Sequence, residues 1–342
     1  MSARLRRIFS GLFILVAGAF IVWFNASKPK LLIIQSYDES YTWTRDVSLG
    51  LRRTLGEDTQ ITERWYYMDT KRHPTKDYKQ NAGLSARRVI DTWHPNVVIA
   101  VDDDAQEYAL KHYVNDPHLS IVFAGVNGKV TPYGYDGASN VTGIYERKQL
   151  QGVKEVIGII GRELGHAPRV MHLGDTSGSV KKDEKFMLDF DWSPLVFKES
   201  KLVKTFADWQ QAVQKAQGQV DFIITSNYRG LARSSSDTRL VPPHEVVSWT
   251  EANAHLPVIG TNGFYVEDGG MLAIGTSPYE QGEVAARMAL EILRNGRKPN
   301  SMPFEQSRQF VVFMRKSRLE AHGITLPRIY EAFARATNNY YE

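Results

Sequence analysis

From Lys30 onward, short apolar runs alternate with amphipathic stretches, and this rhythm restricts the fold more than any other feature of the chain. Leu31 to Gln35, Asn96 to Val101 and Phe222 to Ser226 show little polar alternation, so each reads as a strand buried on both faces. Such strands separated by amphipathic helices indicate an α/β fold with parallel sheets. The first series predicts strands at Leu31 to Gln35, Thr59 to Tyr66, Asn96 to Val101 and Ser120 to Ala124. Helices are expected between them at Arg45 to Leu55, Tyr78 to Trp93 and Asp104 to Tyr113.

A connection rich in Gly, Asn and Tyr runs from Gly125 to Gly143, and a second series follows. Its helices are expected at Gln149 to Gly161, Ser179 to Phe190, Phe206 to Gln217 and Pro243 to Ala254. Its strands are expected at Arg169 to Leu173, Leu195 to Leu202, Phe222 to Ser226 and Pro257 to Gly260. Two series of similar size predict two doubly wound parallel-sheet lobes joined by hinge crossovers. A further strand, Met271 to Gly275, and helix, Tyr279 to Arg294, would crowd the second lobe and are assigned to the first. The expected division is residues 29–140 with 267–297 as lobe 1, 141–266 with 298–327 as lobe 2, and 328–342 as a C-terminal tail. Open α/β sheets bind ligands at the carboxyl ends of their strands, so a solute is expected between the lobes.

Residues 1–28 carry a different signal. Arg4, Arg6 and Arg7 precede an uncharged apolar run of seventeen residues, Ile8 to Phe24, which is the order of an export signal. The run ends in Val22, Trp23 and Phe24, and Asn25-Ala26-Ser27 offers no small-residue cleavage site, which favours an uncleaved signal anchor over a removed signal peptide. As a helix the run would span about 26 Å, slightly short of the ~30 Å hydrocarbon core, with Trp23 and the arginines at its ends. The arginines place the N-terminus in the cytoplasm and the remainder on the periplasmic side of the inner membrane.

Composition excludes several classes. There is no cysteine, hence no disulfide, thiolate metal site or cysteine nucleophile. The net charge of +4 is small for 342 residues and the basic residues are dispersed, so nucleic acid is not an expected partner. No HExxH motif, calcium loop or phosphate loop with lysine occurs, and neither metal nor cofactor is expected. Gly174-Asp175-Thr176-Ser177-Gly178 has Thr where a nucleophile elbow needs Ser, and no other constellation argues for an enzyme.

The candidate ligand contacts are those that follow strands. Ser36, Tyr37 and Trp43 offer hydroxyls and flat apolar faces after the first strand. Asp103 and Asp104, with Asp102, open a helix, where one of the three is expected to cap it and another to hold a ligand ammonium. Asn127 leaves the fourth strand with both a donor and an acceptor. In the second lobe Asp175, Thr176, Asn227 and Tyr228 follow strands, and Asn262, Tyr265 and Asp268 lie at the second crossover. Thr176 also suits a helix cap, and Asp268 a turn before Gly269-Gly270.

The C-terminal third carries a family pattern: Leu256-Pro257-Val258-Ile259, Val266-Glu267-Asp268-Gly269-Gly270-Met271-Leu272-Ala273, Tyr279-Glu280-Gln281-Gly282, Gly296-Arg297-Lys298-Pro299 and Gly323-Ile324-Thr325-Leu326-Pro327, with Asn140-Val141-Thr142-Gly143 in mid-chain. In order and spacing it resembles the ABC transporter substrate-binding family that includes tryptophan and tyrosine binders. Ser36-Tyr37 with Trp43, Asp102-Asp103-Asp104-Ala105 and Val122-Phe123-Ala124-Gly125-Val126-Asn127 look more like the branch used as extracellular sensor domains. The resemblance implies the type I periplasmic binding protein fold, an amino-acid-like small-molecule ligand, and either an ABC permease or a separate signalling protein as partner. Only a few residues precede the apolar run, so a signalling module would have to reside in another chain.

Overall fold

The structure, a computed structural model, describes residues 3–56 and 60–342; for residues 3–10, 21, 22, 25 and 26 it describes the backbone alone. Thr59, expected to begin the second strand, lies outside the described residues. The chain divides into two units, residues 1–145 with 281–305 and residues 146–280 with 306–342.

Unit 1 begins with helix α1 (Ala3–Ser27), followed by β1 (Lys30–Gln35), α2 (Thr42–Leu55), β2 (Thr62–Tyr67), α3 (Lys76–Trp93), β3 (Val97–Val101), α4 (Asp102–Tyr108), β4 (Ser120–Val126) and β5 (Val141–Tyr145). Its sheet runs β5-β4-β3-β1-β2 with all these neighbours parallel. Strand alternation sends Leu31, Ile33, Val97 and Ile99 to one face, with Val47 and Leu51 of α2. Leu32, Ile34, Val98 and Ala100 face the other, with Ala82, Ala86 and Ile90 of α3. Two covered faces explain why these strands read as continuous apolar runs. At ~1.5–3 kcal/mol per buried large aliphatic side chain, the two layers dominate the stability of the unit.

Unit 2 contains α5 (Leu150–Ile160), β6 (Arg169–Asp175), α6 (Gly178–Asp189), β7 (Val196–Val203), α7 (Phe206–Ala216), β8 (Phe222–Thr225), α8 (Pro243–Asn253), β9 (Val258–Gly260), the single turn α9 (Phe264–Glu267) and β10 (Leu272–Thr276). Helix α10 (Pro278–Asn295) leads back into unit 1, where Gly282 packs so closely on α2 that a Cβ would lie 2.0 Å from the Val47 carbonyl oxygen. The two-residue β11 (Glu305–Gln306) borders β5, and β12 (Phe310–Arg315), α11 (Lys316–Ala321), α12 (Arg328–Ala336) and β13 (Tyr340–Tyr341) end the chain. The second sheet has the order β13-β12-β10-β9-β8-β6-β7, with β12 antiparallel to β10.

Three sequence expectations need correction. The strand near Met271 belongs to the second sheet, because the eleven residues 261–271, with one helical turn, suffice for a crossover that pairs β10 with its neighbour β9. Residues 328–342 are not a tail: Ala334 of α12 is fully buried against the core, and β13 pairs with β12. The connection from Gly125 to Gly143 ends in an unforeseen strand, β5, whose five-residue VTGIY run is broken by Thr142 and Gly143 and so shows no continuous apolar stretch. Among the described residues no helix is long and apolar enough to cross a membrane, so the expected span is not shown.

One polar chain crosses the second sheet. His172 on β6 is fully buried, with Nδ1 2.8 Å from the Ser200 hydroxyl of β7 and Nε2 2.9 Å from the Ser226 hydroxyl after β8. Ser200 donates to Glu184 Oε1 at 2.6 Å, so its oxygen accepts from Nδ1–H and Nε2 accepts from Ser226. Burial pushes the His172 pKa down from 6.5 to about 4. Because the folded value is the lower one, the unfolded chain binds the proton first, and stability is lost as pH falls from about 6.5 towards 4. The maximal loss is on the order of 3 kcal/mol. Denaturant titrations across that window should show a steeper acid slope for the parent than for His172→Gln; equal slopes would exclude His172 as its source.

Candidate functional site

At the carboxyl edge of the first sheet, the loops after β1, β2, β3 and β4 bring several polar and aromatic side chains together. Ser36 follows β1, and its hydroxyl donates to the Val101 carbonyl at 2.6 Å and accepts from the Ala105 amide at 2.8 Å. It therefore satisfies an early amide of α4, the role expected of one of the three aspartates, and is itself fully buried. The helix follows β3 without a loop. Asp102 makes the corner at φ +66°, and its carboxylate Oδ1 accepts from the Trp43 indole at 2.9 Å. Gly125, at φ +67°, lies so near that a Cβ would sit 2.7 Å from that same oxygen. A side chain at Gly125 would thus displace Asp102 and, with it, the anchor of Trp43.

Asp103 accepts from the Tyr133 hydroxyl at 2.6 Å and, at 3.3 and 3.4 Å, from the backbone and side-chain nitrogens of Asn127. Asp104 pairs with Lys79 at 2.9 Å. Burial and the Asp103 carboxylate hold the Tyr133 hydroxyl far above its usual range, so it stays a proton donor. Tyr37 is likewise raised, first by burial and then by Asp102, Asp104 and Asp103. Of the residues expected from sequence, Ser36, Tyr37, Trp43, Asp103, Asp104 and Asn127 converge here. Tyr133 and Lys71, which also belong to this edge, were not anticipated; no local pattern links either to strands far away in sequence.

In unit 2 the expected residues are engaged with one another. Asp175 accepts from the amides of Ser177, 2.9 Å, and Gly230, 2.8 Å, tying the loop after β6 to the loop after β8. Asn227 Oδ1 accepts from the amides of Tyr228 and Arg229. Asn262 donates to the Ser226 carbonyl at 2.6 Å and accepts from Lys148 at 2.8 Å. Lys148, nearly buried beside Glu146 and Asp183, is a further residue that sequence reasoning missed. Thr176 is half-buried beside these loops.

Tyr228 and Tyr265, expected as ligand contacts, are core side chains: both are fully buried and donate to the carboxylates of Asp268 and Glu251 respectively. Asp268 also receives Arg229 through Nε and Nη2 at 2.9–3.1 Å. A pocket of about 390 Å³ lies beside Asp268, lined by Glu267, Gly269, Arg315, Ser317 and Arg318. Gly269 precedes the amino end of β10 and Arg315 ends β12, next to the Leu272–Met314 pair of the two strands. Among the described residues no three carboxylates or histidines are grouped to hold a metal.

The Asp268 cluster makes a direct prediction. Asp268→Ala leaves the buried Tyr228 hydroxyl and the Arg229 guanidinium without their acceptor and should destabilise unit 2 by about 1–3 kcal/mol. The thermal midpoint of the protein without added solute should fall; an unchanged midpoint would return Asp268 to the set of ligand contacts.

The fold agrees with the comparisons. No curated protein matches the sequence. Among solved structures, the open form of CD0873, a substrate binding protein with adhesive properties from Clostridium difficile, aligns with TM-score 0.65 and 17% identity, covering 87% of this chain and 96% of that one. An ABC domain from Streptococcus pneumonia in complex with L-Trp aligns with TM-score 0.57 and 15% identity, covering 89% and 98%. The TorS sensor domain–TorT complex aligns with TM-score 0.50 and 13% identity, covering 88% and 98%. At these identities the likenesses speak for the fold alone, that of type I periplasmic binding proteins. The family model for ABC transporter substrate binding proteins matches residues 69–337. The chain belongs to the ABC transporter substrate binding protein family.

Proposed function

We propose that the protein binds a small amphipathic, amino-acid-like solute outside the cytoplasm and presents the loaded form to an ABC permease. The observation that carries this reading is the carboxyl edge of unit 1, where Trp43 and Tyr37 supply apolar faces beside Asp103 and Asp104. An aromatic wall next to carboxylates suits a solute with an apolar body and a cationic head. The L-Trp complex of a structural neighbour supports the same class. In this reading Asn127 on unit 1, and Thr176, Asn227 and Asn262 on unit 2, supply further polar contacts.

The reading involves no catalysis. Ser226 and His172 are in hydrogen-bond contact like a nucleophile and its base, but Ser226 is only 1% exposed and His172 not at all. A substrate carbonyl cannot reach that hydroxyl.

A second reading, a membrane-tethered sensor subunit that reports occupancy to a separate kinase or cyclase, is favoured by α1. Leu12, Phe13, Ile14, Leu15, Val16, Phe20, Trp23 and Phe24 are all 46–73% exposed, and a helix apolar on all sides belongs in a membrane or a core. The uptake reading needs no tether and also accommodates a leader removed on export.

A thermal-shift panel of amino acids, nucleosides, sugars and organic acids tests the binding reading. Saturation at a hundredfold the dissociation constant should stabilise the protein by about 2.7 kcal/mol and raise its midpoint visibly. A shift with sugars only, or with nothing, would overturn the amino-acid assignment. For α1, alkaline carbonate extraction should leave the full-length protein in the membrane pellet; a shortened protein in the soluble fraction would show a cleaved leader.

A further inference from the structure

We propose that the cavity beside Asp268 in unit 2 is a second binding site, one for an oxyanion, with the guanidinium groups of Arg315 and Arg318 as its donors. It is separate from the solute contacts assigned to the same unit. Thr176, Asn227 and Asn262 follow the carboxyl ends of β6, β8 and β9, whereas Gly269 precedes the amino end of β10 and Arg315 ends β12 beside it. The site therefore stands whether or not the amino-acid reading does. Its volume of about 390 Å³ falls within the range of small-molecule sites, about 300–1,000 Å³.

The fold places both arginines on one wall. The Arg315 amide donates to the Met271 carbonyl at 2.9 Å at the end of the antiparallel pairing of β12 with β10, and α11 begins at the next residue. Arg318 follows at i+3, the helical spacing that brings two side chains to the same face. Both are half-buried and both line the cavity. Arg315 is also held in position: its Nη2 donates to the Val266 carbonyl at 2.9 Å, and its guanidinium lies 4.9 Å from the centroid of the Tyr341 ring.

The protein leaves most of these donors without acceptors. A guanidinium carries five N–H groups. Among the described residues the Arg315 side chain makes only the bond to Val266, its buried Nε having no acceptor, and the Arg318 side chain makes none. The neighbouring acids are engaged elsewhere: Asp268 holds Arg229 and Tyr228, and Glu251 accepts from the Tyr265 hydroxyl and the Met271 amide, with His322 at 3.5 Å. With the Asp268–Arg229 pair set aside, two cations and one acid, Glu267, line the cavity. Two half-buried like charges raise each other's energy, and an oxyanion that meets both relieves this while adding charge-assisted hydrogen bonds. A phosphate group presents oxygens in several directions and can accept from both arginines at once, whereas a carboxylate is filled by one guanidinium fork.

The test adds inorganic phosphate or acetate, as sodium salts at constant ionic strength against chloride, to the full-length protein in maltoside micelles. Guanidinium Nε–H signals of arginine-labelled protein, assigned with Arg315→Lys and Arg318→Lys, report occupancy. Saturable shifts of the Arg315 and Arg318 signals are expected with phosphate, and weaker binding with acetate. Read at Arg315, Arg318→Gln should weaken phosphate binding roughly tenfold, the loss of one charge-assisted contact. Arg318→Lys keeps the charge without the fork and should weaken it only about threefold. Lys316→Gln, at an exposed position outside the cavity, should leave it unchanged. Because the Arg318 side chain has no hydrogen-bond partner to lose, the thermal midpoint of Arg318→Gln should match that of the parent, which separates lost binding from lost fold. Acetate binding as tightly as phosphate would keep the site and assign it to carboxylates. Unsaturable shifts with both anions, or equal losses in Lys316→Gln and Arg318→Gln, would overturn the site and leave a diffuse attraction of anions to basic residues.

Discussion

Strands covered by helices on both faces hold polar side chains along their length only where these find a buried partner, as His172 does, and this constraint governs where the protein can do chemistry. β1 and β3 bury Leu31 to Ile34 and Val97 to Val101 completely. Polar groups must therefore collect where strands end, and the carboxyl ends point backbone into tight turns that can aim side chains. At β3 the turn is a single residue. Asp102 adopts a left-handed conformation that costs roughly 1–3 kcal/mol for a non-glycine residue, and Asp is among the few types that tolerate it. The Trp43 indole and the side-chain-free Gly125 hold it there. Asp103 and Asp104 then emerge in the first turn of α4, directed towards Tyr133, Asn127 and Lys79.

The two edges use their acids in different ways. Asp175 spends its oxygens on backbone amides, and Asp268 faces a guanidinium and a phenol, so both act as struts between loops of unit 2. In unit 1, at the corner of β3, Asp102 and Asp103 accept from indole, phenol and amide groups, and Asp104 pairs with Lys79. The unit 1 edge is also the one that carries the aromatic side chains of Tyr37 and Trp43.

Much of this was legible in the sequence. Continuous apolar runs gave the strands because burial on both faces removes alternation, and the residues after them gave Tyr37, Trp43, Asp103, Asp104 and Asn127. Other features were out of reach. Tyr133 lies thirty positions from Asp103 within a loop and Lys71 follows an edge strand, so only the folded sheet brings them to the same corner. Tyr228, Tyr265 and Asp268 occupy loop positions that look ligand-facing in one dimension, yet buried tyrosines need acceptors and find them in Asp268 and Glu251. The return of the chain was half visible. Helix α10 does go back to unit 1, but β10 stays beside β9, since a single turn of helix closes a parallel crossover as well as a long one does.

The buried histidine shows how such a protein tolerates a constellation that would be catalytic elsewhere. Ser226, His172, Ser200 and Glu184 form one hydrogen-bonded chain that crosses from the end of β8 through β6 and β7 to α6. Catalysis would require the serine to meet solvent and the imidazole to accept a proton near neutral pH; here the serine is covered and burial keeps the imidazole neutral down to about pH 4. What remains is geometric. A slip of β7 or β8 by one residue would move Ser200 or Ser226 to the opposite face and leave a buried imidazole nitrogen unsatisfied, at a cost of about 1–3 kcal/mol. The chain therefore fixes the register of three strands, and Ser226 in turn offers its carbonyl to Asn262. The same polar link that specifies the sheet thus sets the position of a candidate contact at its edge.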